Sequence, residues 1–169
     1  RREGFEVGVL DADITGPSIA EALGLEGQEP RAEGNKLLPF TTKGGIKAVS
    51  MNLLLDNPEG AIIWRGPLIT KAIQQFYSDV KWGKLHYLII DMPPGTSDAA
   101  ITIFQSIVVD GVVVVTSTQN VANMVVSKFV NMAKQVNVPV LGLVENMAYL
   151  RCPNGDLVYP FGPPKGEEE

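Results

Sequence analysis

The sequence predicts an α/β domain: a mostly parallel sheet with helices on both faces. Three observations lead there. Strand-like and helix-like segments alternate from residue 86 to residue 146, the strands are continuous Val/Ile/Leu runs, and several of these runs stop on an acidic residue. An uninterrupted apolar strand suits a sheet covered on both sides, whereas a half-exposed strand alternates polar and apolar residues.

The first strand is predicted in "FEVGVLD", closing on Asp11. After it, "ITGPSIAEALGL" places Pro17 and Ser18 at a helix start, Ile19, Ala22 and Leu23 at helical spacing, and Gly24 as the stop. Residues 25–45 lack periodicity and read as loop, with a poor strand near "KLLPF". "IKAVSMNLLL" (46–55) reads as a strand, and "AIIW" (61–64) as a strand-like lead into a helix that begins near Pro67. On that helix Ile69, Ala72, Ile73 and Phe76 share a face that Val80 extends, with Gly83 past its end. The regular alternation follows: strand 86–91, helix from Ser97 to about 109, strand 111–117, helix from Asn120 to about 136, strand 139–146. The Pro/Gly/Glu-rich segment 160–169 reads as a mobile tail.

A length of 169 residues with 45% hydrophobic and 20% charged residues suits one domain, here 1–169. The net charge of −5 supplies no basic surface for a phosphate backbone, so nucleic acid is not expected as a partner. The apolar runs fall far short of the ~20 residues a spanning helix needs, so no membrane is expected. The first residues lack the pattern of a signal peptide. The single cysteine, Cys152, cannot form an internal disulfide, which fits a cytoplasmic setting. Beginning at Arg1 and stopping at "GEEE", the chain reads as a fragment.

In an open parallel sheet, ligands collect outside the carboxyl ends of the strands, where loops and helix N-termini offer unpaired N–H groups. Three strand ends, "VLDAD", "LIIDMPPG" and "LVEN", put Asp11, Asp13, Asp91, Glu145 and Asn146 there. An Asp after four apolar residues, as in "YLIID", has the form of a carboxylate that holds Mg²⁺ through water in phosphate-cleaving NTPases. The turn "PPGT" then brings the Gly95 N–H toward a terminal phosphate, where a Cβ would obstruct the approach. Thr96 or Ser97 caps the next helix. Asp11 can support the metal's water shell, and Asp13 is suited to orient an attacking water. A lysine-bearing GxxxxGK[ST] loop is not in the sequence; "TKGGIKAVS" lacks its spacing, and the loop is expected just upstream of Arg1.

The segments "VGVLDADITGPSI", "IIWRGPLITKAIQQF", "DVKWGKLHYLIIDMPPGTSDAAITIFQ", "GVVVVTSTQNVA" and "VNVPVLGLVENMAYLRCP" resemble, in order and spacing, the Mrp/NBP35-type P-loop ATPases. These are iron–sulfur cluster carriers related to the deviant Walker A ATPases MinD and ParA. The resemblance covers about residues 5–162 and implies a P-loop NTPase-like fold, here truncated at both ends, that binds ATP and Mg²⁺ and forms a homodimer. It implies switch I carboxylates at Asp11 and Asp13, a Walker B and switch II segment at Asp91 and Gly95, and an adenine contact at Asn146. It also implies a [4Fe–4S] cluster between subunits, passed on to iron–sulfur apoproteins. The family holds that cluster with a Cys-Pro-x-Cys pair; here the segment is "CPNG", with Cys152 matching and Gly155 in place of the second cysteine. The other ligands come from elsewhere, the cluster is weakly held, or this member carries none. Two further readings stay open beside the cluster-assembly ATPase: a positioning ATPase of the MinD/ParA kind, and a non-catalytic fragment that only dimerises.

Several residues are read as structural. His86 belongs to a strand edge, Met124, Phe129 and Met132 to core or dimer contact, and Trp64 and Trp82 to packing. Arg65, in the family's "WRGP", is a candidate for the dimer interface or nucleotide.

Overall fold

Strand β1 (Val7–Asp11) is the hub of a four-stranded sheet in which it pairs in parallel with both β5 (Lys47–Val49) and β6 (Tyr87–Asp91), while β4 (Phe40–Thr41) lies on the far side of β5, giving the order β4-β5-β1-β6. The computed structural model describes residues 1–13, 16–50, 53, 66–96, 98–118 and 120–162. The chain divides into two compact units, Arg1–Ile107 and Val108–Glu169.

In the first unit the short helix α1 (Ile19–Ala22) covers the sheet through a core of Ala20, Leu25, Phe40, Ala48 and Leu53, with Val9, Ile19 and Leu23 packed against it. Gly8 is required by close approach: a Cβ there would lie 2.7 Å from the Leu85 side chain and 3.1 Å from the Trp82 ring. Trp82 is buried and donates its indole N–H to the Phe76 carbonyl, which makes it the packing anchor its residue type predicts. Helix α2 (Gly66–Ser78) buries Ala72, Ile73 and Phe76, and Val80 just beyond it is buried too. Helix α3 (Asp98–Ser106) lies against α2, with the Thr70 and Thr102 hydroxyls 3.3 Å apart and Gln74 Nε2 donating to Ser106 Oγ at 3.0 Å. At the strand edge His86 Nδ1 accepts the Glu6 N–H, and the imidazole meets Phe5 edge-on.

The segment expected to be mostly loop contains three short strands. β2 (Arg31–Glu33) and β3 (Lys36–Leu38) form an antiparallel hairpin, and β4 (Phe40–Thr41) pairs antiparallel with β5. The poor strand expected near "KLLPF" is found as β3, with β4 just after it, whereas the shortness of β2 hides it from a periodicity reading. The local signal is the two-residue turn Gly34-Asn35, with Gly34 at φ +62°. The strand expected over 46–55 is found as β5, which ends at Val49; the Leu53 N–H reaches the Ser50 carbonyl, and residues 51, 52, 54 and 55 lie outside the described residues. The expected strand "AIIW", with Trp64 and Arg65, lies outside the described residues, as do Ser97 and residues 163–169 of the tail.

In the second unit β7 (Val112–Thr116) pairs in parallel with β8 (Val140–Glu145), and helix α4 (Asn120–Gln135) packs on both. Val112, Val114, Met132, Ala133 and Val138 are buried, while Phe129 is half-buried. The placement of Met124 on the same stripe falls among side chains outside the description. Val113 and Val115 are exposed, and so is β8 along its whole length, although the sequence reads as strands covered on both faces. A small antiparallel pair, β9 (Leu150–Arg151) and β10 (Leu157–Val158), completes the unit.

Candidate functional site

Asp11 ends β1 with its side chain 1% exposed, a costly place for a carboxylate unless it is hydrogen-bonded. Three donors reach it. The Asp13 N–H donates to Oδ1 at 3.2 Å, and the Ile19 N–H and the Ser50 hydroxyl donate to Oδ2 at 3.2 and 2.9 Å. The Ile19 bond makes Asp11 the cap of α1, since Ser18 at the N-cap position forms no side-chain cap bond. Burial pushes the Asp11 carboxyl above the usual carboxylate range, against the opposing pull of the Ile19, Ser50 and Asp13 hydrogen bonds.

Asp13 follows two residues later, half-buried, with Oδ1 accepting the Gly16 N–H at 3.1 Å. The Asp11 backbone therefore leads directly into the loop that its own carboxylate ties down.

Asp91 stands beside Asp11 because the parallel register of β1 and β6 pairs Val7 with Tyr87 and ends by pairing Asp11 with Asp91. The Ala12 N–H bonds the Asp91 carbonyl at 2.9 Å and locks that register at the rim. The Asp91 carboxyl is also raised, first by burial and then by the charges of Asp11 and Asp13. Among the described residues it accepts no hydrogen bond, in contrast to Asp11. Gly95 sits in the following turn at φ +76°, and a Cβ there would meet nothing within 4 Å. Within the chain, the glycine is thus required by its left-handed backbone and not by crowding.

Three carboxylates that repel one another, one of them without a donor among the described residues, suit a hard divalent cation. Among the described residues no group of three or more His, Cys, Asp or Glu side chains is close enough to hold a metal directly. The donors that meet at the rim, all carboxylate oxygens, are of the type that a hard cation such as Mg²⁺ takes.

The remaining residues singled out by the sequence belong to the second unit. Glu145 ends β8 opposite Thr116. Asn146 is exposed; its N–H bonds the Thr116 carbonyl at 2.7 Å, and its Oδ1 accepts the Met147 N–H at 2.9 Å, holding Met147 at φ +55°. Cys152 is a half-buried free thiol in the β9–β10 turn. Gly155 occupies φ +92° there and returns its N–H to the Cys152 carbonyl at 2.9 Å.

One residue of the rim escapes the sequence reading. Ser50 directly follows β5, whose register with β1 pairs Leu10 with Val49, so the next step along both strands brings Ser50 to Asp11. Its signal is a small polar residue, not an acidic one, just after the strand-like segment "IKAV".

A family model described as ParA, NUBPL iron-transfer P-loop NTPase, matches residues 1–169. An iron–sulfur cluster carrier protein of Methanocaldococcus jannaschii is 47% identical over 167 residues, covering 98% of this chain and 58% of the relative. Another, from Clostridium perfringens, is 44% identical over 176 residues, covering 99% of this chain and 61% of the relative. Among solved structures, the nucleotide-binding protein of Archaeoglobus fulgidus in complex with ADP superposes with a TM-score of 0.81 at 42% identity, covering 96% of this chain and 63% of that one. The chain thus spans about three-fifths of the length of these proteins.

Proposed function

The chain belongs to the NUBPL iron-transfer P-loop NTPase family, and on that premise we propose that it binds and hydrolyses Mg-ATP in the service of iron–sulfur cluster assembly and transfer to apoproteins. The observation that carries the proposal is the pairing of Asp11 with Asp91 at one sheet rim, with Asp13 two residues into the adjoining loop.

Each residue takes the part its surroundings support. Asp91, which accepts no hydrogen bond from a described residue, holds the water shell of Mg²⁺. The ion supplies charge neutralisation of the transferring phosphoryl group. Asp13 orients the attacking water, and Asp11 fixes the loop on which Asp13 is carried. The Gly95 N–H senses the γ-phosphate from its turn, and Asn146 contacts the adenine. The working assembly is a cytoplasmic homodimer; no described helix is long and apolar enough to cross a membrane. The [4Fe–4S] cluster is cargo, and Cys152 offers it one thiolate per chain. A cluster held by four thiolates needs more than two such chains provide, so Cys152 alone does not complete the site.

The test uses the protein at the full length of its relatives. Asp13→Ala lowers ATP turnover at least about 100-fold while nucleotide affinity by calorimetry stays within about twofold. Unchanged turnover removes Asp13 from the chemistry.

A further inference from the structure

We propose that Ser50 is a positioning residue for hydrolysis, its hydroxyl clamping the Asp11 carboxylate so that Asp11 in turn holds the loop bearing Asp13; the catalytic consequence rests on the ATPase reading above. Ser50 is fully buried and lies 39 residues from Asp11 in sequence, yet its hydroxyl meets Oδ2 at 2.9 Å. The same oxygen accepts the Ile19 N–H, and the other accepts the Asp13 N–H. One carboxylate therefore joins three places: the end of β5, the start of α1 and the residue that orients water.

The geometry gives Ser50 a role beyond filling space. A carboxylate bound only to the loop's own N–H groups moves with that loop. Bound also to the adjacent strand, it is anchored to the sheet, because β5 is held to β1 by three register pairs ending at Val49. Anchoring matters for Asp13, since small misplacements of an orienting group cost turnover steeply. A buried hydroxyl beside a buried carboxylate also has one evident acceptor, so its proton has a defined direction.

Three variants in the full-length protein separate positioning from simple packing. Ser50→Ala removes the donor, Ser50→Cys keeps the volume with a weak donor, and Ser50→Thr keeps the hydroxyl. Without ligand, amide hydrogen exchange at Asp13 and Ile19 is expected to speed up about tenfold in Ser50→Ala and Ser50→Cys, with the strand amides of Val9 and Ala48 within about twofold. Ser50→Thr restores the wild-type values. With ATP, kcat falls about tenfold in the same two variants, KM stays within about twofold, and Ser50→Ala adds no further loss on an Asp11→Asn background. Uniform loss of protection across loop and strands, wild-type behaviour of Ser50→Cys, or an unchanged kcat would overturn the proposal. A wild-type protein without turnover defeats the ATPase reading instead, and the exchange pattern still decides whether the clamp exists.

Discussion

The rim around Asp11 and the turn around Cys152 are held together in opposite ways. At the rim, bonds to one carboxylate come from 2, 8 and 39 residues away in sequence. In the turn, the bonds among described residues stay within 152–156: Cys152 N–H to the Asp156 carbonyl, Gly155 N–H to the Cys152 carbonyl, and a mutual pair between Asn154 and Asp156. The rim is a product of tertiary structure, so disturbing its chemistry disturbs the fold. The turn closes on itself, and its chemistry can be altered with little effect on stability.

Paired substitutions break or sharpen that contrast, and the largest effect is expected at the rim. Asp11→Ala leaves the Ser50 hydroxyl and two loop N–H groups without their acceptor, costing about 2–4 kcal/mol in denaturant unfolding. Cys152→Ala is expected to change the same midpoint by no more than about 0.5 kcal/mol. Comparable losses at the two sites would erase the distinction.

A smaller effect on stability, with a clear chemical readout, is expected from Gly155→Cys. The left-handed backbone at φ +92° charges any side chain about 1–2 kcal/mol, but the space is open, with nothing within 4 Å of the added Cβ. Anaerobic reconstitution with iron and sulfide is expected to roughly double iron bound per chain in Gly155→Cys and to lose it in Cys152→Ala. Equal iron in all three proteins would show that the turn takes no part in carrying a cluster.

The same contrast explains what the sequence makes legible. β1, β6 and β8 can be read because an apolar run ending in a charge is a local pattern, and β7 because it is an unbroken valine run; so can α2 and α4, whose apolar residues recur at helical spacing. β2 cannot, because a three-residue strand carries almost no periodicity and only the Gly34-Asn35 turn announces it, while β3 shows only as the poor strand near "KLLPF". The acidic residues of the rim are visible one strand at a time. Their register is a long-range fact, and Ser50 becomes meaningful only once β5 is known to lie beside β1. Exposure along β8 is equally invisible, since "VLGLVE" reads the same whether or not another layer covers it.

The smallest effect concerns the charge stored at the rim. Asp11 and Asp91 both titrate above their ordinary value, so between the ordinary and raised values the folded chain binds more protons than the unfolded one. Stability then falls as pH rises through that window, the reverse of a salt-bridged carboxylate. Asp91→Asn removes one of three mutually repelling charges without orphaning a donor from a described residue, because none reaches that carboxylate. The variant is therefore expected to melt slightly higher than the wild type at neutral pH, with the gap closing toward about pH 3.9, where the unfolded carboxylate takes up its proton. In the protein at the full length of its relatives, millimolar Mg²⁺ with ADP should raise the wild-type melting temperature and leave the variant nearly unmoved, so that their order reverses. A variant that melts lower at neutral pH would mean that Asp91 is bound as firmly as Asp11. The two carboxylates would then share one structural role, instead of dividing into one that organises the loop and one left available to a cation.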